Sequence, residues 1–253
     1  MNMRGAYTLF NRETRRFFKV KMQTIVAPAL TALLYLVVFR YAMGDRSVPG
    51  MEVAYFDFLV PGLAMMAIMQ NAFANTSSSL IAGKVMNVHA HLLMAPLTAL
   101  EVITAFLLAA VVRALVVATI LLLVLLPFVH IPLPHPAIAL LFAICASIIM
   151  GGIGIISGMW AQKFDDMATI TNFIIMPLTF LSGVFYSTGQ LPPVWQQVNS
   201  VNPFFYLVDG FRFGVLGVGE SDIPTAVAST LLVTAVTTAS CWALWQRGWR
   251  LKD

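Results

Sequence analysis

From Val102 to Val129 a single charged side chain, Arg113, interrupts an apolar run, and from Pro136 to Ala161 there is none. A helix of about 20 such residues crosses the hydrocarbon of a bilayer. There only helices and closed barrels satisfy every backbone N–H and C=O. The chain is 59% hydrophobic and 10% charged, with mean hydropathy +0.85, whereas a soluble domain carries about 25% charged residues. In 253 residues, six crossings of roughly 20 residues with short loops leave no room for a sizeable soluble domain. The sequence therefore predicts an all-α polytopic membrane protein, one transmembrane domain over 1–253. Six spans fall near 24–43, 58–80, 102–126, 137–159, 168–187 and 224–245.

The segments around these spans carry unequal charge. Arg4, Arg12, Arg15, Arg16, Lys19, Lys21, Lys84, Lys163, Arg247, Arg250 and Lys252 fall on one side of the membrane, and Arg40, Arg46 and Arg212 on the other. The positive-inside rule then puts both termini in the cytosol. Residues 1–23 interleave their basic side chains with Tyr7, Phe10, Phe17 and Phe18 near helical spacing. This predicts an amphipathic helix lying on the anionic inner leaflet. The first apolar run follows that basic segment and is too long for a signal-peptide core, so no cleaved leader is expected. Cys145 and Cys241 lie in apolar runs and imply no disulfide framework.

Between the fifth and sixth spans, residues 188–222 are apolar but broken. After Leu191, the residues Pro192, Asn202, Pro203, Asp209 and Arg212 interrupt them. A clean crossing is excluded, and an extracytoplasmic re-entrant helical hairpin is expected. Asp209 and Arg212, three apart, can meet on one helix face. An arginine at mid-membrane, as at Arg113, costs about 2.5–3.5 kcal/mol on insertion scales. Two readings of it stand open: a wet cavity or bundle interior, or a shifted span from which the side chain snorkels. Gly154 and Gly158 form a small-xxx-small pattern for close helix packing, Pro177 should kink the fifth span, and Thr230, Thr234 and Thr238 form a polar packing stripe. Residues 81–101 read as a cytosolic loop with a short helix stopped by Pro96.

Several chemistries are missing from the sequence. There is no Walker loop for ATP. His89 and His91, and His130 and His135, lack metal spacing with a third ligand. The spans hold no carboxylate relay for proton coupling, Asp57 lying only at an outer edge, and no nucleophile–base set is apparent.

Taken together, Pro177, Leu181-Ser182-Gly183-Val184-Phe185-Tyr186, Leu191-Pro192-Pro193, Trp195, Asn202-Pro203, Asp209-Gly210-Phe211-Arg212 and Gly217 resemble the signature of type-2 ABC transporter permeases. Within that family the chain resembles the branch of Nod-factor export and YadH-type inner-membrane permeases. Val60-Pro61-Gly62-Leu63, Leu92-Leu93 to Ala95-Pro96 and Lys163-Phe164-Asp165-Asp166 extend the resemblance along the chain. It implies a bacterial inner-membrane permease that pairs with a second copy of itself and docks two nucleotide-binding ATPase subunits. ATP and Mg would be bound by those partners and no cofactor by this chain, and nucleic acid plays no part. It implies further that the coupling loop comprises Gly83, Lys84, His89, His91, Leu92, Leu93 and Pro96. The 191–217 hairpin would sit over the exit as an outer gate, and the first and fifth spans would line the path. Tyr35, Phe39, Phe173, Phe180 and Tyr186 are then candidate wall residues, with lipid-facing or packing roles equally open. Family members usually carry acidic residues before the Leu-Leu pair, where this chain has Ala90 and His91. Walls without fixed charge suit an amphipathic substrate such as a lipid-linked saccharide, lipo-oligosaccharide or hydrophobic drug. An ATPase-independent channel or secondary carrier is the alternative.

Overall fold

The computed structural model describes residues 2–44, 47–48, 53–87, 92 and 94–250. Among them every regular element is helical, with one isolated β-bridge, Ser47–Ala54. The helices are α1 (Met3–Lys19), α2 (Ala27–Met43), α3 (Tyr55–Val85), α4 (Ala99–Leu125), α5 (Pro136–Trp160), α6 (Phe164–Ile170), α7 (Met176–Leu181), α8 (Pro193–Val201), α9 (Pro203–Leu216) and α10 (Ile223–Gln246). Among the described residues five segments are long and apolar enough to cross a membrane: Met22–Ala42, Tyr55–Val85, Ala99–Leu125, Pro136–Trp160 and Ile223–Gln246. The expected span at 168–187 is instead the run α6, a π turn (Thr171–Ile175) and α7, which ends at Leu181. Residues 182–187 leave the helix through Gly183, whose φ of +74° favours glycine.

Two π turns share one cause. Met22–Val26 precedes Pro28, and Thr171–Ile175 precedes Pro177. Each proline lacks an N–H, and its ring crowds the carbonyl four residues back, at Thr24 and Phe173, which lie within the π turns. A wider turn takes up that crowding without breaking the helix. The expected kink at Pro177 is thus a bulge.

Helix α3 is the axis of the bundle. Its apolar residues run all round it, and nearly all are buried, from Phe58 and Leu59 to Leu80 and Ile81. It packs most extensively on α5, then on α4, with α9 and α2 completing its surround. Small residues set the approach of α5. A Cβ at Gly154 would lie 2.6 Å from the Phe73 carbonyl oxygen, and one at Gly158 2.8 Å from Leu80 Cβ. On the other side of α5 a second pair does the same work for α9. A Cβ at Gly214 would meet the Ala139 backbone at 2.4 Å, and one at Gly210 would enter the Phe142 ring. In α10, Thr234 and Thr238 donate back to the carbonyls of Thr230 and Thr234, while Thr230, Cys241 and Trp245 face inward.

Helix α1 is shared between two faces. Leu9, Glu13 and Phe17, spaced one turn apart, are buried in the bundle, whereas Tyr7 and Phe18 are exposed. The aromatic residues read as one lipid-facing set are therefore divided, Phe17 going inward. The Asp166 carboxylate accepts N–H bonds from Gln162 and Lys163 at the start of α6, which hold its carboxyl below the usual carboxylate range.

Because glycine contacts fix the spacing of α3, α5 and α9, Gly154→Ala and Gly214→Ala should each lower stability by about 1–3 kcal/mol through overpacking. Gly189→Ala, with nothing closer than Ser187 Oγ at 3.7 Å, should change it by less than about 0.5 kcal/mol. Thermal unfolding of the purified permease in detergent reads all three.

Candidate functional site

The broken segment is built from its caps. Pro192 and Pro193 open α8, and Leu191 is held by its N–H to Thr188 O and by Gln196 Nε2 on its own carbonyl. Asn202 caps α9 through Phe204 N at 3.0 Å, with Pro203 at the first helical position, where the missing N–H costs nothing. The Asn202 amide also reaches Ser182 Oγ and Leu178 O, stitching the start of α9 to the end of α7.

Asp209 and Arg212 are both buried, at 0% and 1% exposure. Their closest charged atoms are 4.0 Å apart, so the ion pair is only part of what holds them. Asp209 accepts N–H bonds from Glu220 at 2.9 Å and Ser221 at 2.8 Å, and the Ser221 hydroxyl. Arg212 donates to Gly183 O at 2.7 Å and its guanidinium carbon sits over Phe58, 3.7 Å from the ring centroid. The Glu220 carboxylate in turn takes the N–H and hydroxyl of Thr188. Two charges thus tie α9 to α3, to the turn after α7 and to the turn before α10. Spacing pointed to the pair. Phe58, Gly183, Glu220 and Ser221 lie far along the chain and carry no local signal.

The candidate wall residues divide. Tyr35, Phe39 and Phe180 all meet one ring, Phe185, at centroid distances of 5.3, 5.5 and 5.2 Å. Tyr55 joins them against Phe39 and donates its hydroxyl to Phe185 O. Phe173 stands 78% exposed, without a ring partner among the described residues, and Tyr186 bonds within its own turn to Leu181 O. Phe185, the hub of the cluster, is not among the candidate wall residues.

At the other end of the bundle, Gly83 and Lys84 belong to the last turn of α3, beyond the expected loop boundary at 81. Lys84 Nζ reaches the carbonyls of Met159 and Ala161 at the C-terminal end of α5. Leu92 packs half-buried against the cluster holding Leu9 and Phe106, and Pro96 is exposed, its carbonyl accepting from Asn2. His89, His91 and Leu93 lie outside the described residues. Thr98 and Glu101 form a reciprocal capping box at the start of α4, and the Glu101 carboxylate also receives the Asn2 N–H. Consequently the first turn of α1, residues 94–98 and the first turn of α4 form one surface. Met3, Tyr7 and Met94 stand exposed on these segments.

Arg113 is buried at mid-α4, 8% exposed. Its Nε and Nη2 both donate to Asn71 Oδ1 on α3, at 3.3 and 3.1 Å. It lines a cleft of about 450 Å³ between α1, α2, α3 and α4. Asn71 carries no local sequence signal that would pair it with Arg113. Among the described residues no group of three or more His, Cys, Asp or Glu side chains is placed to hold a metal.

Breaking a buried charge pair costs about 3–5 kcal/mol. Asp209→Asn and Arg212→Gln should each fall in that range in thermal unfolding. The double variant should be non-additive by about 0.5–3 kcal/mol, short of full coupling because Arg212 keeps separate ties to Phe58 and Gly183.

Comparison with known proteins agrees with this architecture. The family profile described as "ABC-2 type transporter" matches residues 4–216. The chain is 33% identical over 246 residues to the "Inner membrane transport permease YadH" of Escherichia coli K12, covering 97% of this chain and 96% of that protein. The proteins of that name from Escherichia coli O157:H7 and Shigella flexneri match to the same extent. With the helical bundle, its apolar crossing segments and matches of that coverage in place, the chain belongs to the ABC-2 type transporter family.

Proposed function

We propose that the chain is the membrane-spanning permease subunit of an ATP-driven exporter in the bacterial inner membrane, working as a dimer with two ATPase subunits that bind ATP and Mg. The composite surface made by α1, residues 94–98 and the start of α4 carries this reading. It joins the N-terminal helix to the segment between the second and third spans, where the family resemblance puts the coupling loop to the ATPase. One capping carboxylate, Glu101, bonds both. A push on one element is therefore transmitted to α4 and, through Glu13 and Arg16 to Asn75 and Ser78, to α3.

In this reading the α1 end faces the cytosol, as the basic residues require, and α6 to α7 is the remaining crossing. The 188–222 segment dips into the outer leaflet. The aromatic cluster around Phe185 joins α2 to the fifth crossing at that end and forms part of the wall. Helices α2 and α10, with Leu30, Leu34, Val38, Leu231, Leu232 and Val236 exposed, offer apolar faces to lipid or to the second copy. An apolar wall suits an amphipathic cargo: a lipid-linked saccharide, a lipo-oligosaccharide or a hydrophobic drug.

The test is co-purification of the permease with the ATPase encoded beside it, followed by ATP hydrolysis in proteoliposomes. The wild-type permease should bind that subunit and raise its hydrolysis rate. Tyr7→Asp with Met94→Asp, both on exposed side chains, should weaken association by roughly tenfold or more without changing thermal stability. A cysteine at 163 should label only from the cytosolic side. Transport without any ATPase, or labelling from the opposite side, would favour the channel or carrier reading.

A further inference from the structure

The cleft between α1, α2, α3 and α4 has an unbalanced electrical character. Arg16 and Arg113 both line it, and none of its described lining residues is a carboxylate. Arg16 is already committed to Glu13, Ser78 and the Asn75 carbonyl. Arg113 is not: its only partner is the neutral amide oxygen of Asn71, and Nη1 makes no hydrogen bond among the described residues. A buried cation with no counter-ion is expensive, and holding it oriented by a neighbouring amide adds order without relieving the charge. Arg16 and Arg113 are anchored on α3 at Asn75 and Asn71, four residues or about 6 Å apart along the helix. One phosphate can therefore lie between them, since arginine matches phosphate oxygens with parallel N–H donors.

The remaining walls say what carries that phosphate. Gln23, Thr24 and Gln70 give further polar contacts, while Phe17, Leu63 and Leu121 make the rest of the lining apolar. The cleft adjoins the basic helix α1, whose Arg16 and Phe17 form part of its lining. A soluble anion needs no such apolar wall, and a neutral lipid leaves Arg113 unpaired. We propose that the cleft binds the phosphate of an amphiphile from the leaflet beneath α1, with Arg113 as its principal anchor. This goes beyond the permease reading and does not depend on it.

The test is native mass spectrometry of the purified full-length permease in micelles holding equal amounts of dioleoylphosphatidylglycerol and the phosphate-free digalactosyldiacylglycerol. Wild type should retain phosphatidylglycerol preferentially. Arg113→Gln should lose roughly tenfold or more of that preference, the loss of one charge-assisted contact. Arg113→Lys, which keeps the charge, should lose less, and Ala74→Phe, which fills the cleft wall and leaves both arginines in place, should also lose retention. Equal retention by Arg113→Gln and Ala74→Phe overturns the proposal, as does displacement by millimolar inorganic phosphate, which would mean a free anion. With the partner ATPase and ATP added, phosphatidylglycerol that stays bound is a resident lipid, and phosphatidylglycerol that appears in the opposite leaflet is cargo. Either result supports the phosphate site, and the retention assay itself needs no ATPase.

Discussion

A fully buried guanidinium holds the far end of this bundle together. Arg212 sits against the ring of Phe58, donates to Gly183 and faces Asp209. In low dielectric neither charge is tolerable alone. Each must therefore be met by fixed groups, and those groups come from separate elements: α3, the turn after α7 and the turn before α10. That requirement turns an apolar but proline-broken segment into a defined shape. The Asn202 cap and the Glu220–Thr188 contact extend the same bracing to both ends of the hairpin. The geometry around α9 is consequently set by contacts between buried polar groups on separate elements, which an apolar helix of equal length would not impose.

Glycine contacts and proline bulges supply the complementary control. Glycines on α5 and α9 bring three helices into close register around α3, where dispersion between tightly packed side chains replaces the hydrophobic effect that lipid does not provide. The two π turns fall at Pro28 and Pro177, in the helices proposed to line the path. A π turn leaves a helix locally wider and less regularly bonded, so both carry a built-in point of bending. The rigid axis and the bendable flanks thus lie on different helices.

Much of this was legible in the sequence because membrane insertion leaves few solutions. Apolar runs of sufficient length gave the helical class and the crossing segments near 24–43, 58–80, 102–126, 137–159 and 224–245. The Gly154–Gly158 pattern marked a close packing face, and spacing alone brought Asp209 near Arg212. Other features were hidden for physical reasons. Phe58, Gly183 and Ser221 meet the charged pair only through tertiary packing. Phe185 becomes a hub because the chain leaves the helix at Gly183 and turns the ring back between α2 and α7. Asn71 reads as one polar residue among several until α4 places Arg113 beside it. The division of α1 between bundle and surface was likewise unreadable, because aromatic spacing does not say which face of a helix meets lipid and which meets protein.

In the proposed reading the hairpin is a membrane-inserted brace and not a loop in water. Helix α8 presents Val194, Val198 and Val201 along one exposed face, the last at 82% exposure, beside an apolar groove that includes Leu178 and Leu181. In water such a face is a liability, and in the outer leaflet it is an anchor. Power-saturation electron paramagnetic resonance on a spin label at residue 201, in the permease reconstituted into lipid vesicles, measures this directly. The account predicts high collision with oxygen and little with a water-soluble nickel chelate. High collision with the nickel chelate would place α8 in water and contradict the inserted hairpin.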